Sequence, residues 1–511
     1  LIPFQTKRYY FSAKGLQEKT SPLVIDTSEL QIARNVHYFE SGSLTKRAGY
    51  IKRFTNALTG TPILTGLYEL VKRDGTKRFI AASDKIYYSV QGATSATEIP
   101  GGLTFTPGIT GENFMSFITF NNKAIGTNGI EVVWSWDIDN NAAILGGSPP
   151  IAEIIATFQN FVFLAGNDTY PYRLYFSNDG DETTWSGTDY IDIGDLTNPI
   201  TGLAVLFGKL YIFTRRAIYE LRGYDRDTFA VDEVSLSVGC VAYKSIVRVD
   251  NNLIFLSDRG IYSYDGINVH YLSQKIESTI AGLNYARIAQ VVAELYKAKN
   301  QIWFAVSTGS SGNNNEVICI TYEPTASEGA GIRTNNVSFA NYTGMAFNAF
   351  GLETSDTEID RLYAGDYGGL VYQQDSGTND NGSGIDFVVK LPPIDMDAPE
   401  TFKRFRFLWL FIKQIGAFDL NISYKTDFAP GDTTTTVSMR QTTDASLWGS
   451  MIWGVSTWGG SSVIKSRIGL KAQGQHLELL FSNDNADENV VIHGFSLLAQ
   501  LKGAGRSVVY R

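Results

Sequence analysis

Four histidines, His37, His270, His476 and His493, and two cysteines, Cys240 and Cys319, are the residues of this 511-residue chain best suited to metal binding or nucleophilic chemistry. Such chemistry needs company. A zinc site takes Cys or His in short-spaced pairs, and a catalytic nucleophile takes a base and a group that orients the base. No two histidines lie close in sequence, and the cysteines are far apart, so the spacing argues against a metal site, a disulfide framework and histidine-based catalysis; both cysteines read as buried free thiols. There is no GxxxxGK[ST] loop, no GxSxG turn and no HExxH pair. "GDYGGL" and "GSSGNNN" are Gly-rich but lack the strand-to-helix context that cradles phosphate, and read as turns. The expectation is a protein without enzymatic activity, cofactor or metal.

Two other groups could work through contact. "LWGSMIWGVSTWGG" sets Trp448, Trp453 and Trp458 five residues apart, a spacing that puts successive indoles on opposite faces of a regular strand. A carbohydrate-stacking platform is one use; packing of an extended loop against its own domain or a neighbouring subunit is the better-supported one, because Trp is enriched in cores and interfaces. "ESGSLTKRAGY" offers Gly42, Ser43 and Leu44, then a basic step at Lys46 and Arg47, expected as solvated charges on a surface turn. These eight residues are the candidate interface or structural motifs.

The elements that must position them are short strands. Forty-nine glycines, 27 tyrosines and 30 phenylalanines with only 19% charged residues favour many strands and tight turns, an all-β chain. "SPLVIDTSELQIARNV" and "LSQKIESTIAGL" are the best helical candidates, one or a few turns each. No apolar run reaches the roughly 18 residues of a membrane-spanning helix, and the N-terminus lacks a signal-peptide pattern. The phrase "NNLIFLSDRGIYSYDG" (251–266) is a run, a turn and a run, and "GKLYIFTRRAIYELRG" (208–223) repeats it without a gap: Leu210, Thr214, Ile218, Tyr219 and Gly223 match Leu253, Ser257, Ile261, Tyr262 and Gly266. Looser copies begin at Gly75, Asn121, Gln159, Lys299 and Asp360. Units roughly 40 to 60 residues apart are spaced like β-propeller blades, whose sheets bury their faces on one another around a ring. About seven blades are expected, within a range of six to eight.

The domain reading is an irregular N-terminal arm at 1–60, a β-propeller at 61–384 ending in the polar "DSGTNDNGSG" stretch, and a C-terminal β-sandwich at 385–511. In the last, "FKRFRFLWLFIK" places Phe405, Phe407, Trp409 and Phe411 on one face and Leu408, Leu410 and Ile412 on the other, a strand expected mid-sheet and covered on both sides. "FDLNISYKTD" alternates and reads as half-buried, with Leu420, Ile422 and Tyr424 inward. Lys403, Arg404 and Arg406 are either solvated or inter-subunit. Net charge is −9, so the molecule as a whole repels a phosphate backbone and suits a passage that does not hold nucleic acid.

"FSNDGDETTW" (176–185) resembles the Asp-box turn of sialidases, with Asp181 where the usual pattern has Gly and Trp185 one place late; an Asp box is a structural turn and carries no hydrolytic implication. Several segments together resemble the tail nozzle, tail hub and packaged-DNA-stabilisation proteins of short-tailed bacteriophages. They are Ser21, Pro22, Ala33, Asn35, Val36, Gly42, Ser43, Leu44, Lys46, Arg47, Gly49 and Tyr50 near the N-terminus, "SVGCVAYKSIVRVDNNLIFLSDRGIYSYDG" in mid-chain, "YFSNDGDETTW", and "WGSMIWGVSTWGG", and their order along nearly the whole chain is more specific than any one of them. The N-terminal match has "KGLQEK" where relatives commonly show paired glycines. The resemblance implies a virion structural protein, assembled in the host cytoplasm. It would form a homo-oligomeric ring, often a hexamer, below the portal and adaptor and beside other tail proteins. Double-stranded DNA would be retained and then passed through without sequence-specific binding, and the host surface would be a further contact. A glycan-binding or glycan-cleaving propeller and a monomeric protein-interaction propeller are the alternatives.

Overall fold

The computed structural model describes residues 4–11, 14–38, 43–323, 332–333, 336–354, 360–413, 418–438 and 463–504. The chain folds as two compact units: Ile51–Val337 with Met345–Gln374, and Leu1–Tyr50 with Ser338–Gly344 and Asp375–Arg511.

The first unit is a seven-bladed propeller. Blade 1 has strands Gly66–Val71, Lys77–Ala82, Ile86–Ser89 and Thr97–Glu98, each antiparallel to the next. Blades 2, 3, 4 and 5 repeat that order, with inner strands Ser116–Phe120, Ile154–Phe158, Ile200–Leu206 and Val247–Val249. Blade 6 contributes Val292–Tyr296, Gln301–Val306 and Glu316–Tyr322 to the unit. Blade 7 has Ala349–Thr354, Asp360–Gly365 and Val371–Gln374, and its outer edge is filled by Tyr50–Lys52 from the other end of the chain. Six of the seven sequence phrases fall on the second and third strands of one blade, and the phrase from Lys299 falls on the second strand of blade 6. The reason is burial. The second strands Phe161–Ala165, Asn252–Ser257 and Gln301–Val306 are buried at every position, because the apolar clusters lie between adjacent blades and cover both faces.

Ring closure is carried by backbone and by glycine. Arg53 N donates to Val371 O at 2.8 Å and Leu58 N to Gly369 O at 2.9 Å, tying the first segment of the unit to its last blade. Inner strands of blades 7 and 1 approach so closely that a Cβ on Gly351 would sit 2.6 Å from Leu67 Cβ; blades 1 and 2 do the same at Gly66, 2.8 Å from Met115 O.

The second unit is a β-sandwich. One sheet runs Val36–His37, Leu44–Lys46, Val491–Ala504, Thr401–Lys413, Val463–Gly474, with Phe4–Tyr10 also paired to Val491–Ala504. The other holds Ile32–Arg34, Phe387–Lys390, Leu477–Asn483, Asp419–Thr426 and Thr433–Ser438. Phe11, Phe481 and Phe495 meet between them, with ring centroids 5.9 to 6.4 Å apart. Leu420, Ile422 and Tyr424 point inward as expected.

Three expectations change. The first 50 residues do not stand apart as an irregular arm: four of their strands complete the sandwich sheets, which without them would expose unpaired edges. "SPLVIDTSELQIARNV" forms turns and then the strand Ile32–Arg34, whereas "LSQKIESTIAGL" is helical over Ser273–Ala281. The Thr401–Lys413 strand is mid-sheet, but a bulge between Phe405 and Phe407 shifts the side-chain parity. Phe405 is therefore buried with Leu408, Leu410 and Ile412, while Phe407, Trp409 and Phe411 lie on the opposite face, only half-buried.

Candidate functional site

A lone charged residue inside an apolar run signals a buried polar site, and three such runs meet on the propeller axis: "IAEIIA", "VAYKSIV" and "VVAELY". The middle one forms a 3-10 turn, Tyr243–Ser245, in the link between blades 4 and 5. It touches the inner strands of blades 4 and 6, the neighbours of blade 5 in the ring. Lys244 Nζ reaches Met115 O at 2.9 Å and Tyr243 Oη donates to Phe114 O at 3.3 Å, both next to the inner strand of blade 2. Beside the turn lies a cavity of about 460 Å³, lined among others by Tyr68, Phe117, Lys244, Arg248, Glu294 and Phe350.

Enclosure sets the electrostatics. Burial lifts the carboxyls of Glu153 and Glu294 to about 7, with Lys244 pulling each back down, and burial likewise brings the Lys244 ammonium down to about 8 against the upward pull of Glu294 and Glu153. Tyr243 is pushed well above its ordinary value, first by burial and then by Glu153. Lys244 is thus a buried ammonium whose charge is felt by the carboxyls of Glu153 and Glu294, and its hydrogen bond to Met115 O ties the turn to blade 2. A cluster of shifted groups in a cavity of this size is the feature that most resembles a ligand site in the propeller unit. No group of three His, Cys, Asp or Glu able to hold a metal occurs among the described residues.

The sequence candidates separate. Ser43, Leu44, Lys46 and Arg47 are all buried, so the surface-turn expectation is corrected. Arg47 pairs with Asp380 through both guanidinium nitrogens, at 2.8 and 2.5 Å, donates from Nε to Asn35 Oδ1 at 2.8 Å, and lies over the Tyr342 ring. Lys46 Nζ donates to Asn483 Oδ1 at 2.7 Å and Asn485 O at 3.1 Å, and burial brings its ammonium down to about 8. Charges held this way fasten the second unit internally. Gly42, Trp448, Trp453 and Trp458 lie outside the described residues. Both cysteines are buried free thiols, and burial pushes the Cys240 thiol up to about 11.

The "FSNDGDETTW" stretch is a turn between the third and fourth strands of blade 3. Asp181, the residue out of pattern, organises it by accepting from Thr183 N, Thr183 Oγ1 and Thr184 Oγ1 at 2.6 to 2.8 Å. Sequence reading missed the axial cluster because each charge looked isolated in its run; only the ring brings blades 3, 4, 5 and 6 to one point.

No family model and no curated protein matches the chain. Among solved structures it is similar to BamB from Moraxella catarrhalis, at 13% identity over 73% of this chain and 97% of that one, with a TM-score of 0.36. It is also similar to the N-terminal domain of Nup159, at 10% identity over 67% of this chain and 98% of that one, with a TM-score of 0.39.

Proposed function

We propose that this chain is a non-enzymatic structural protein that works through contacts with other macromolecules, as a nozzle or hub subunit of a short-tailed phage virion. Its copies associate into a ring that retains the packaged genome and passes duplex DNA during ejection, stacked against the portal, adaptor and other tail proteins. The observation that carries the contact reading is apolar exposure on propeller loops. Ile109, in the link from blade 1 to blade 2, is 92% exposed; Ile267 and Tyr224, on turns of blades 5 and 4, are 82% and 77% exposed. Large apolar groups on loop tips are stabilised when another protein covers them.

Two further observations bear on the conduit. Tyr243 and Lys244, on the turn before blade 5, hydrogen-bond to carbonyls beside blade 2 on the far side of the ring, so in this reading the duplex passes between copies and not through the propeller of one. The propeller unit has 23 Lys and Arg against 34 Asp and Glu, net −11, which keeps a phosphate polymer from sticking. Light scattering and negative-stain imaging test the proposal together. The expected outcome is a multi-subunit particle with a central hole. A persistent monomer at micromolar concentration replaces it with the single-chain interaction propeller, and saturable glycan binding or sugar release with the glycan-directed one.

A further inference from the structure

We propose that the outer face of the sandwich sheet formed by Phe4–Tyr10, Val491–Ala504, Thr401–Lys413 and Val463–Gly474 binds single-stranded nucleic acid, bases on its aromatic row and phosphates on the cations around it. This goes beyond the ring reading and does not rest on it.

These four strands contain ten Lys and Arg and not one Asp or Glu, in a chain whose net charge is −9. Two of the ten are spent inside the unit: Lys7 pairs with Asp397, and Lys403 caps the carbonyls of Ala398, Thr401 and Gln475. Arg8, Arg404, Lys413, Lys465, Arg467 and Lys471 are exposed, and none of them is paired with a carboxylate among the described residues. Pairing register places Lys465 opposite Phe411 and Arg467 opposite Trp409, so cations and rings share one face.

The rings form a line. Phe407, Trp409 and Phe411 alternate along one strand, about 7 Å from one to the next at strand rise, and the first two rings are 5.9 Å apart. Arg467 lies 4.8 Å from the Phe407 centroid, Lys465 5.4 Å from Trp409, and Arg8 5.3 Å from Phe411. A row of half-buried rings flanked by cations on an antiparallel sheet is the chemistry that stacks unpaired bases and neutralises their phosphates. An acidic protein surface would answer the charge, but regular ring spacing along one strand suits successive stacked bases, and a duplex keeps its base faces stacked and hidden.

Fluorescence polarisation with a labelled 12-nucleotide oligo-dT, using the full chain, tests the proposal. Saturable binding is expected at 50 mM salt, weakening about 50-fold at 200 mM if four phosphates are neutralised. Trp409→Ala and the pair Lys465→Glu with Arg467→Glu are each expected to weaken it roughly tenfold or more, and a blunt duplex of the same length should bind roughly tenfold less tightly. The charge-reversal pair alters exposed side chains of a strand at the end of this sheet, and an unchanged thermal transition shows that its fold is kept. Absent binding, or equal affinity for the duplex with Trp409→Ala indifferent, overturns the proposal. So does a smaller assembly in the charge-reversal pair with oligonucleotide binding intact, which would assign the face to a second copy of the chain.

Discussion

Arg53 joins a buried ion pair to ring contacts on two blades. Its guanidinium meets Glu353 at 2.5 and 2.6 Å, lies 4.3 Å from the Phe79 ring and 4.4 Å from the Tyr363 ring, and both charges are buried. Phe79 belongs to blade 1 and Tyr363 to blade 7, so one side chain rivets the closure of the ring. Arg53→Ala strands a buried carboxylate and should cost about 3 to 5 kcal/mol of stability. Arg53→Met with Glu353→Leu should recover much of that, measured by denaturant titration. The axial cluster supplies a pH prediction. The folded-state carboxyl of Glu294 sits near 7, above its unfolded value of 4.5, so the native state holds the extra proton and stability falls as pH rises from about 4.5 to 7. Glu294→Gln removes that loss: its melting temperature should match the parent near pH 4 and exceed it at pH 8, by the equivalent of about 1 to 3 kcal/mol. Equal melting temperatures at both values would show that Glu294 is not strained by burial.

Among elements, the inner strands decide how tightly the blades close. Gly351 has no room for a methyl group against Leu67, and its backbone is not left-handed, so the glycine is there for proximity alone. Gly351→Ala should destabilise by about 1 to 3 kcal/mol through overpacking, read as a lower denaturant midpoint with an unchanged slope. Gly75, on a turn of blade 1 with open space around it, has φ of +84°, so Gly75→Ala strains backbone without crowding and separates the two effects. The seven phrases were legible because each contains the second strand of a blade, covered on both faces by its neighbours and hence rich in apolar residues. Blade edges were not legible. Strands such as Thr97–Glu98 and Ala143–Ile144 are two residues long and exposed, too short to show a period.

At the scale of the molecule, charge is divided between the units. The sandwich unit has 20 Lys and Arg against 18 Asp and Glu, net +2, beside −11 for the propeller unit, a division that the whole-chain value of −9 conceals. The chain order is also divided: the sandwich is closed by strands from both ends of the sequence. A fragment of residues 385–511 alone lacks Phe4–Tyr10, Ile32–Arg34, Val36–His37 and Leu44–Lys46, and with the last of these the Lys46 that donates to Asn483. Expressed by itself it should show no cooperative unfolding by circular dichroism, and co-expression with residues 1–50 should restore a transition. A cooperative transition in the isolated fragment would show that the N-terminal strands are dispensable.

Composition and repeat spacing by themselves determined the all-β class, a propeller of six to eight blades, and the half-buried sandwich strands, since each depends on local alternation and on apolar runs that any single blade must carry. What only tertiary structure decided are the relations between distant residues. Lys46 and Arg47 read as solvated because their partners, Asn483 and Asp380, lie more than 300 positions away. The Phe407, Trp409 and Phe411 row was assigned to the wrong company because one bulged residue inverts strand parity, and the axial Lys244 gains its two carboxyl neighbours only when the ring closes. Periodicity reports which side of an element is buried; it carries no information about what, across the fold, does the burying.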